Sequence, residues 1–169
     1  MKPVNQFAGS AGLSNGRLGM MLLVGTETVL FSCFIGAYIV LRAAAYHWPP
    51  LGTPSLSLDL SSVNTGILIL STILAYRRRL GATFVFGVIF LLLQGVEFHR
   101  LYAQGLTLKT GTYGALFYTL ITCHGLHVLG GLVILAGSFW KDAWAEYAEM
   151  YWHFVTAVWL VLFGILYIL

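Results

Sequence analysis

The sequence predicts an all-α membrane protein of five transmembrane helices, with the N-terminus cytoplasmic and the C-terminus outside. Three observations carry that reading. Of the 169 residues, 59% are hydrophobic and only 9% are charged, whereas a soluble domain has about 25% charged residues. The apolar residues gather into five runs, four of them plainly long enough to cross a bilayer as helices. The basic residues fall between the runs and are biased to one side, as cytoplasmic loops are. Nine Lys+Arg against six Asp+Glu give +3, too weak and too scattered a charge to argue for nucleic acid.

Residues Met1–Leu18 are polar and Gly-rich, with Lys2 and Arg17. They read as a cytoplasmic tail held at the membrane face by Arg17, and residues 19–169 as a single bundle. No cleavable signal peptide is expected, because the apolar run starts too late and is too long for one.

The first span is Gly19–Leu41, roughly 34 Å long at the helical rise. It contains one charge, Glu27. Gly25, Ser32 and Gly36 share roughly one face, a small-residue surface that lets helices approach closely. Arg42, Tyr46, His47 and Trp48 mark the far interface, where aromatic and basic residues anchor. Pro49, Pro50, Gly52 and Pro54 then make a loop.

The apolar part of the second span, Val63–Tyr76, is only about 21 Å long. Extension back to Leu56 gives a full crossing, with Asp59 near the interface and Ser55 or Ser57 as the cap. Arg77, Arg78 and Arg79 stop this helix.

The third span is Gly81–Tyr102. Gln94, Glu97 and Arg100 recur every three residues and so form one polar ladder. Two readings stand: an internal ion pair with Arg100 snorkelling to the headgroups, or contact with a partner helix or a lipid headgroup.

The fourth span, Gly111–Phe139, carries His124 and His127 near its middle. Ionisable residues at that depth are costly unless they face protein, water or a bound group. Haem ligation would need partner imidazoles at the same depth, and His99 and His153 lie near opposite ends of their spans. The other readings are a polar network with Glu27, Thr122 or Tyr118, or a proton relay. Lys141, Asp142, Glu146 and Glu149 form an amphipathic connection to the last span, Met150–Leu169. Trp152 and His153 open that span, either as interfacial anchors or as contacts to lipid or a partner subunit. Cys33 and Cys123 lie inside spans and read as small packing residues, with no CxxC or CxxCH nearby. No metal site is expected in the chain.

Orientation follows from counting basic residues. Lys2, Arg17, Arg77, Arg78, Arg79 and Lys141 lie on the N-terminal side; Arg42, Arg100 and Lys109 lie on the other. Glu27 then sits about 12 Å in from the cytoplasmic end of its helix. A buried carboxylate is disfavoured as a charge, so Glu27 is expected to be protonated or bonded to a His or Thr of another helix.

Several local patterns now stand together. They are Thr26-Glu27 followed by Val29, Leu30 and Phe31; Asn64-Thr65 with Ile67, Leu68 and Ser71; and Gln94 and Glu97 with Phe98. Further on come Tyr113-Gly114, His124-Gly125-Leu126-His127-Val128 with Gly130, and Tyr151-Trp152-His153-Phe154-Val155 with Val158-Trp159. Their order and spacing resemble the cytochrome c oxidase subunit III family of the haem–copper terminal oxidases, over roughly Gly19–Leu169. Thr26-Glu27 looks like that family's Ser/Thr-Glu pair, whose buried carboxylate reacts with carbodiimide.

The resemblance implies a multi-pass protein of the bacterial inner membrane that is not catalytic by itself. It implies no cofactor in this chain, with haem and copper in partner subunits. It also implies packing against catalytic subunit I, with subunit II and other small subunits nearby, binding of phospholipids, and support of proton uptake. Glu27, His124 and His127 would belong to the proton-uptake or buried polar network. Gln94, Glu97, Arg100, Trp152 and His153 would make lipid or subunit contacts.

The chain departs from the family's full form, which has seven helices, by lacking the first two. An acid common after the His-Phe-Val of the last helix is here Thr156, so no role of that acid carries over. Two other readings are a small helical membrane transporter, against which the odd helix number without a repeat argues, and a subunit III-like protein associated with nitric-oxide reductase.

Overall fold

The computed structural model describes residues 15–169. Most of the expected tail, with Lys2, lies outside the described residues. Its last four residues are already helical, because α1 runs Asn15–Ala44. α2 is Leu58–Tyr76, α3 Leu80–Ala103 and α4 Gly111–Gly137. A 3-10 turn at Asp142–Trp144 leads into α5, Ala145–Phe163, which widens into a π turn over Gly164–Ile168. All five helices are long and apolar enough to cross a membrane. The described residues contain no strand.

The second span takes the longer of its two expected forms. Its 19 residues reach about 28 Å, with Asp59 exposed in the first turn. Ser57 occupies the N-cap position, but its side chain caps nothing there. Its hydroxyl turns instead to Glu97 Oε1, 3.5 Å away. The charged stretch before Met150 is not only a connection, since α5 already begins at Ala145.

Helices α2 and α3 each end in the same motif. After α3, Leu106 N–H bonds Leu101 O at 3.0 Å and Gly105 N–H bonds Tyr102 O at 3.1 Å. Gly105 supplies the left-handed residue this Schellman arrangement needs, at φ +93°. Leu101 and Leu106 are both buried beside it. After α2, Arg79 N–H bonds Leu74 O at 2.9 Å and Arg78 N–H bonds Ala75 O at 2.8 Å. Here the left-handed residue is Arg78, at φ +57°. The arginine triplet therefore ends α2 through a backbone motif that glycine would fill with less strain.

Helices α2, α3, α4 and α5 pack in a ring, with α1 laid outside against α4 and α5. Half of α5's apolar stretch is buried but only 6% of α1's. α1 buries just Phe31 and Tyr38, seven residues apart on one stripe. The small residues Gly25 and Gly36 have no neighbour within reach of a Cβ, and Ser32 and Cys33 are exposed. That corrects two expectations, because neither the small-residue face of α1 nor Cys33 packs against a helix of this chain.

The ring is keyed by Trp152 of α5. Its indole fills a slot between Gly87 of α3 and Gly131 of α4, where any Cβ would meet the ring. Its N–H donates to Ser71 Oγ of α2 at 3.1 Å. One side chain thus touches three other helices.

Candidate functional site

Two polar clusters, one half-buried and one buried, lie at different depths. The first joins α1 to α4. Glu27 is twelve residues into α1, and His127 is ten residues before the end of α4. At the helical rise these are about 18 Å and about 15 Å from one end of the bundle, so the side chains meet. His127 Nε2 lies 2.7 Å from Glu27 Oε2. Helix α1 starts before Gly19, so Glu27 sits deeper than the expected 12 Å.

The tautomer follows from the other ring nitrogen. His127 Nδ1 is 2.7 Å from Cys123 O. A carbonyl can only accept, so Nδ1 carries a hydrogen. Nε2 and Oε2 then share one further proton. Either a neutral imidazole accepts from the Glu27 O–H, or an imidazolium donates to a carboxylate. The pair is neutral overall in both cases, which suits its depth. The side chains of His127 and Glu27 are 14% and 22% exposed on the surface of this chain. Thr26 and Thr28 bond back to Leu23 O and Val24 O of their own helix. Of the two expected partner types, histidine is therefore the one found.

His124 stands apart. It is buried, and neither ring nitrogen has a hydrogen-bond partner. Trp159 stacks on it at 5.2 Å, and Phe90 and Phe31 meet it edge-on. Phe31 also packs on His127 at 4.9 Å between ring centres. The two histidines, three residues apart, thus point into different surroundings, one polar and one aromatic. Tyr118 bonds Leu106 O at 2.6 Å and Thr122 is exposed. Neither completes the network expected for the histidines. Among the described residues, no three His, Cys, Asp or Glu side chains converge as a metal site.

The second cluster lies between α2 and α3. The helices are antiparallel, and polar residues pair across them as rungs. Ser61 donates to Glu97 Oε1 at 2.6 Å. Asn64 Nδ2 donates to Gln94 Oε1 at 3.2 Å. Ser71 donates to Thr83 O at 3.0 Å. Trp159 of α5 adds an N–H bond to Thr65 Oγ1 at 2.9 Å. Glu97 is 1% exposed and Gln94 5%.

The expected ladder is therefore split. Gln94, Glu97 and the fully buried Trp152 face their own chain rather than lipid or a neighbour. Only Arg100 is exposed, and no salt bridge joins it to Glu97 among the described residues. Helical spacing explains the split: Gln94 and Glu97 share the side on which α2 lies, and Arg100, a further turn on, clears the end of that contact.

His153 is part of a third group at the end of the bundle where α2 turns into α3. Its Nδ1 is 3.1 Å from Thr72 Oγ1, and its Nε2 is 3.9 Å from Glu149. Glu149 in turn holds Arg78 at 2.9 Å. The rungs formed by Ser61, Thr83 and Ser71, and Thr72 beside His153, were not singled out as site residues from sequence. A signal existed, since Ser61, Asn64, Thr65, Leu68, Ser71 and Ala75 follow one another at helical spacing on α2 and are all buried.

Five helices long and apolar enough to cross a membrane, packed against one another, define a helical membrane protein. The comparisons say which kind. The family model for cytochrome c oxidase subunit III matches residues 5–169, and the chain belongs to that family. A cytochrome c oxidase subunit 3 of Synechocystis sp. is 35% identical, over 89% of this chain and 74% of the relative. Another, from Thermostichus vulcanus, is 30% identical over 90% of this chain and 86% of its own. The Bacillus subtilis protein of the same name is 29% identical over 92% and 86%. The chain is thus a subunit III of a haem–copper oxidase.

Proposed function

We propose that this subunit supports the catalytic subunit of its oxidase and assists proton uptake through the Glu27–His127 pair. The observation that carries the proposal is the 2.7 Å contact between His127 Nε2 and Glu27 Oε2. An imidazole beside a carboxyl can take up a proton and pass it on.

The orientation proposed is N-terminus cytoplasmic and C-terminus outside. Arg17, Arg77, Arg78, Arg79 and Lys141 gather at the end of the bundle where α1 begins, and Arg42, Arg100 and Lys109 at the other. The contacts Arg17–Glu146 and Arg78–Glu149 support that grouping. In this orientation the pair is reached from the cytoplasmic side. The membrane is a bacterial inner membrane. The partners are the catalytic subunit I, subunit II and other small subunits, which hold the haem and copper.

Phospholipid binding is supported by two apolar grooves on the bundle. One, of about 560 Å³, lies between α1 and α5 beside Ile35, Ile39 and Val158. The other, of about 310 Å³, lies between α3 and α4, where Gly95 and Gly125 leave room. Both suit acyl chains.

Glu27→Gln tests the proton role. Glutamine can still donate an N–H to His127 Nε2, so the packing contact survives and the mobile proton is lost. The expected result is an assembled oxidase that takes up protons more slowly and loses activity over many turnovers. Unchanged uptake with unchanged endurance would reduce Glu27 to a packing residue.

A further inference from the structure

The end of the bundle where α1 finishes carries a cavity of about 380 Å³, bounded by α1, the loop before α2, the start of α4 and residues 166–169. Arg42, Tyr38 and Tyr113 line it. Both tyrosines are buried, at 2% and 3% exposed. Tyr38 accepts the Trp48 indole N–H at 3.0 Å, which leaves its own hydrogen to donate elsewhere. The Tyr113 ring meets Trp48 edge-on at 5.2 Å, and among the described residues its hydroxyl bonds no protein atom. That hydroxyl is not sealed in the core either, so it opens on the cavity it lines. Arg42 and Tyr113 both lie within electrostatic reach of Tyr38, so the three donors converge. Leu169 O takes one N–H of the Arg42 guanidinium, and the remaining N–H groups are left for a ligand. No Asp or Glu lines the cavity. A cation, two hydroxyl donors and no facing acid side chain make up the chemistry of an oxyanion site.

We propose that this cavity binds the phosphate of a phospholipid whose acyl chain lies in the groove between α1 and α5. The proposal rests on the phospholipid reading of that groove and adds a head site to it. Cavity and groove are continuous along both helices. Ile35 and Ile39 line the groove, and Arg42 follows them on the same face of α1. On the other side Val161 lines the groove, and Ile168, seven residues on, lines the cavity. From Thr28 to Ile39 the groove runs about 16 Å at the helical rise, close to the roughly 15 Å depth of one leaflet's hydrocarbon. A lipid tail laid along it brings the phosphate to the end of α1, where basic and aromatic residues meet headgroups. Arg42 supplies the counter-charge there, and the tyrosine hydroxyls donate to further phosphate oxygens. The groove between α3 and α4 has no basic residue in its lining, so a tightly held headgroup is assigned to the α1 side alone.

Native mass spectrometry of the purified oxidase, washed in detergent to strip loose lipid, tests the site. The unsubstituted complex should retain one more phospholipid than the Arg42→Gln complex. When phosphatidylglycerol is added back, the variant should bind it roughly tenfold more weakly, as expected for a lost charge-assisted bond. Tyr113→Phe keeps the ring against Trp48 and should weaken the same binding by a smaller factor. Gly36→Leu separates the head site from the groove, because Gly36 has open space around it and a leucine there fills the groove. Loss of the lipid in Gly36→Leu, with full affinity kept in Arg42→Gln, would leave the groove standing and overturn the head site. Full retention in both variants would overturn the two together. Inorganic phosphate is the third probe. If it binds the stripped complex as tightly as the lipid does, the site belongs to a soluble anion and the proposal fails.

If Arg42→Gln does not assemble, a cryo-EM map of the unsubstituted oxidase decides. The expected result is phosphate-sized density within hydrogen-bonding distance of Arg42 and Tyr113, continuous with tail density beside Ile35 and Ile39. A cavity holding only water would overturn the proposal.

Discussion

Glu27 and Glu97 are both carboxyls inside the same bundle, and the protein treats them differently. Glu97 is 1% exposed, lies in the ring of four helices, and has two serine hydroxyls on one oxygen. Glu27 sits on the loosely packed α1 with 22% of its side chain exposed, and its partner is an imidazole. Hydroxyls hold a carboxyl in place and have no proton to exchange near neutral pH. An imidazole can take the proton and give it back. The comparison separates a carboxyl held by hydroxyls inside the ring from one that meets an imidazole at its edge, although the sequence reads the first as one step of a polar ladder and the second as the single charge of its span.

The sharpest way to break the comparison is to break the ring that encloses Glu97. Trp152→Ala removes a fully buried indole that fills the Gly87–Gly131 slot and bonds Ser71. It should cost about 3–5 kcal/mol, seen as early denaturation in detergent and loss of the chain from the oxidase. Gly25→Ala on α1 meets nothing within 4 Å and should leave the same assay unchanged. If the two behave alike, the division between a packed ring and a loosely held α1 is wrong.

The number and positions of the helices were legible because apolar runs of bilayer length have few other fates. Glu27 and His127 were legible as costly groups of one expected network but at different depths, and the structure joins them because α1 begins earlier than expected. The inward turn of Gln94, Glu97 and Trp152 was not legible. Periodicity shows that residues share a face but not whether that face meets lipid, a neighbour or the chain itself. In water a polar stripe usually faces solvent; in a bilayer it faces whatever polar groups other helices offer. Here those groups are the short Ser61, Asn64 and Ser71 on α2, which seem unremarkable until the antiparallel register lines them up. His124 misled in the opposite sense. Its place beside His127 suggested a shared network, yet the aromatic rings of Trp159, Phe90 and Phe31 enclose it.

The cohesive role of Glu97 is sharpened by Ser61→Ala. The 2.6 Å bond to Oε1 goes, and a buried carboxyl keeps only the long contact to Ser57. The expected loss is about 1–3 kcal/mol, read as a lower midpoint of denaturation, with proton uptake per turnover unchanged. Glu27→Gln should give the opposite pattern, with little change in midpoint and a loss in uptake. A fall of both readouts in both variants would mean that the two carboxyls share one role.

The smallest effect expected is at the α2–α3 turn, where two terms oppose each other. Arg78 holds a left-handed φ of +57°, which costs a non-glycine residue roughly 1–2 kcal/mol. It also reaches Glu149 at 2.9 Å, but the arginine is more than half exposed, so that pair is worth at most about 1 kcal/mol. Arg78→Gly removes the strain and the pair together, and the midpoint of denaturation should barely move. Arg78→Ala keeps the strain and loses the pair, so it should fall below the glycine variant by about 1 kcal/mol. An alanine variant as stable as the glycine one would show that backbone geometry is not what this position is selected to bear. The turn would then be held chiefly by Glu149, and through it by His153 and Thr72.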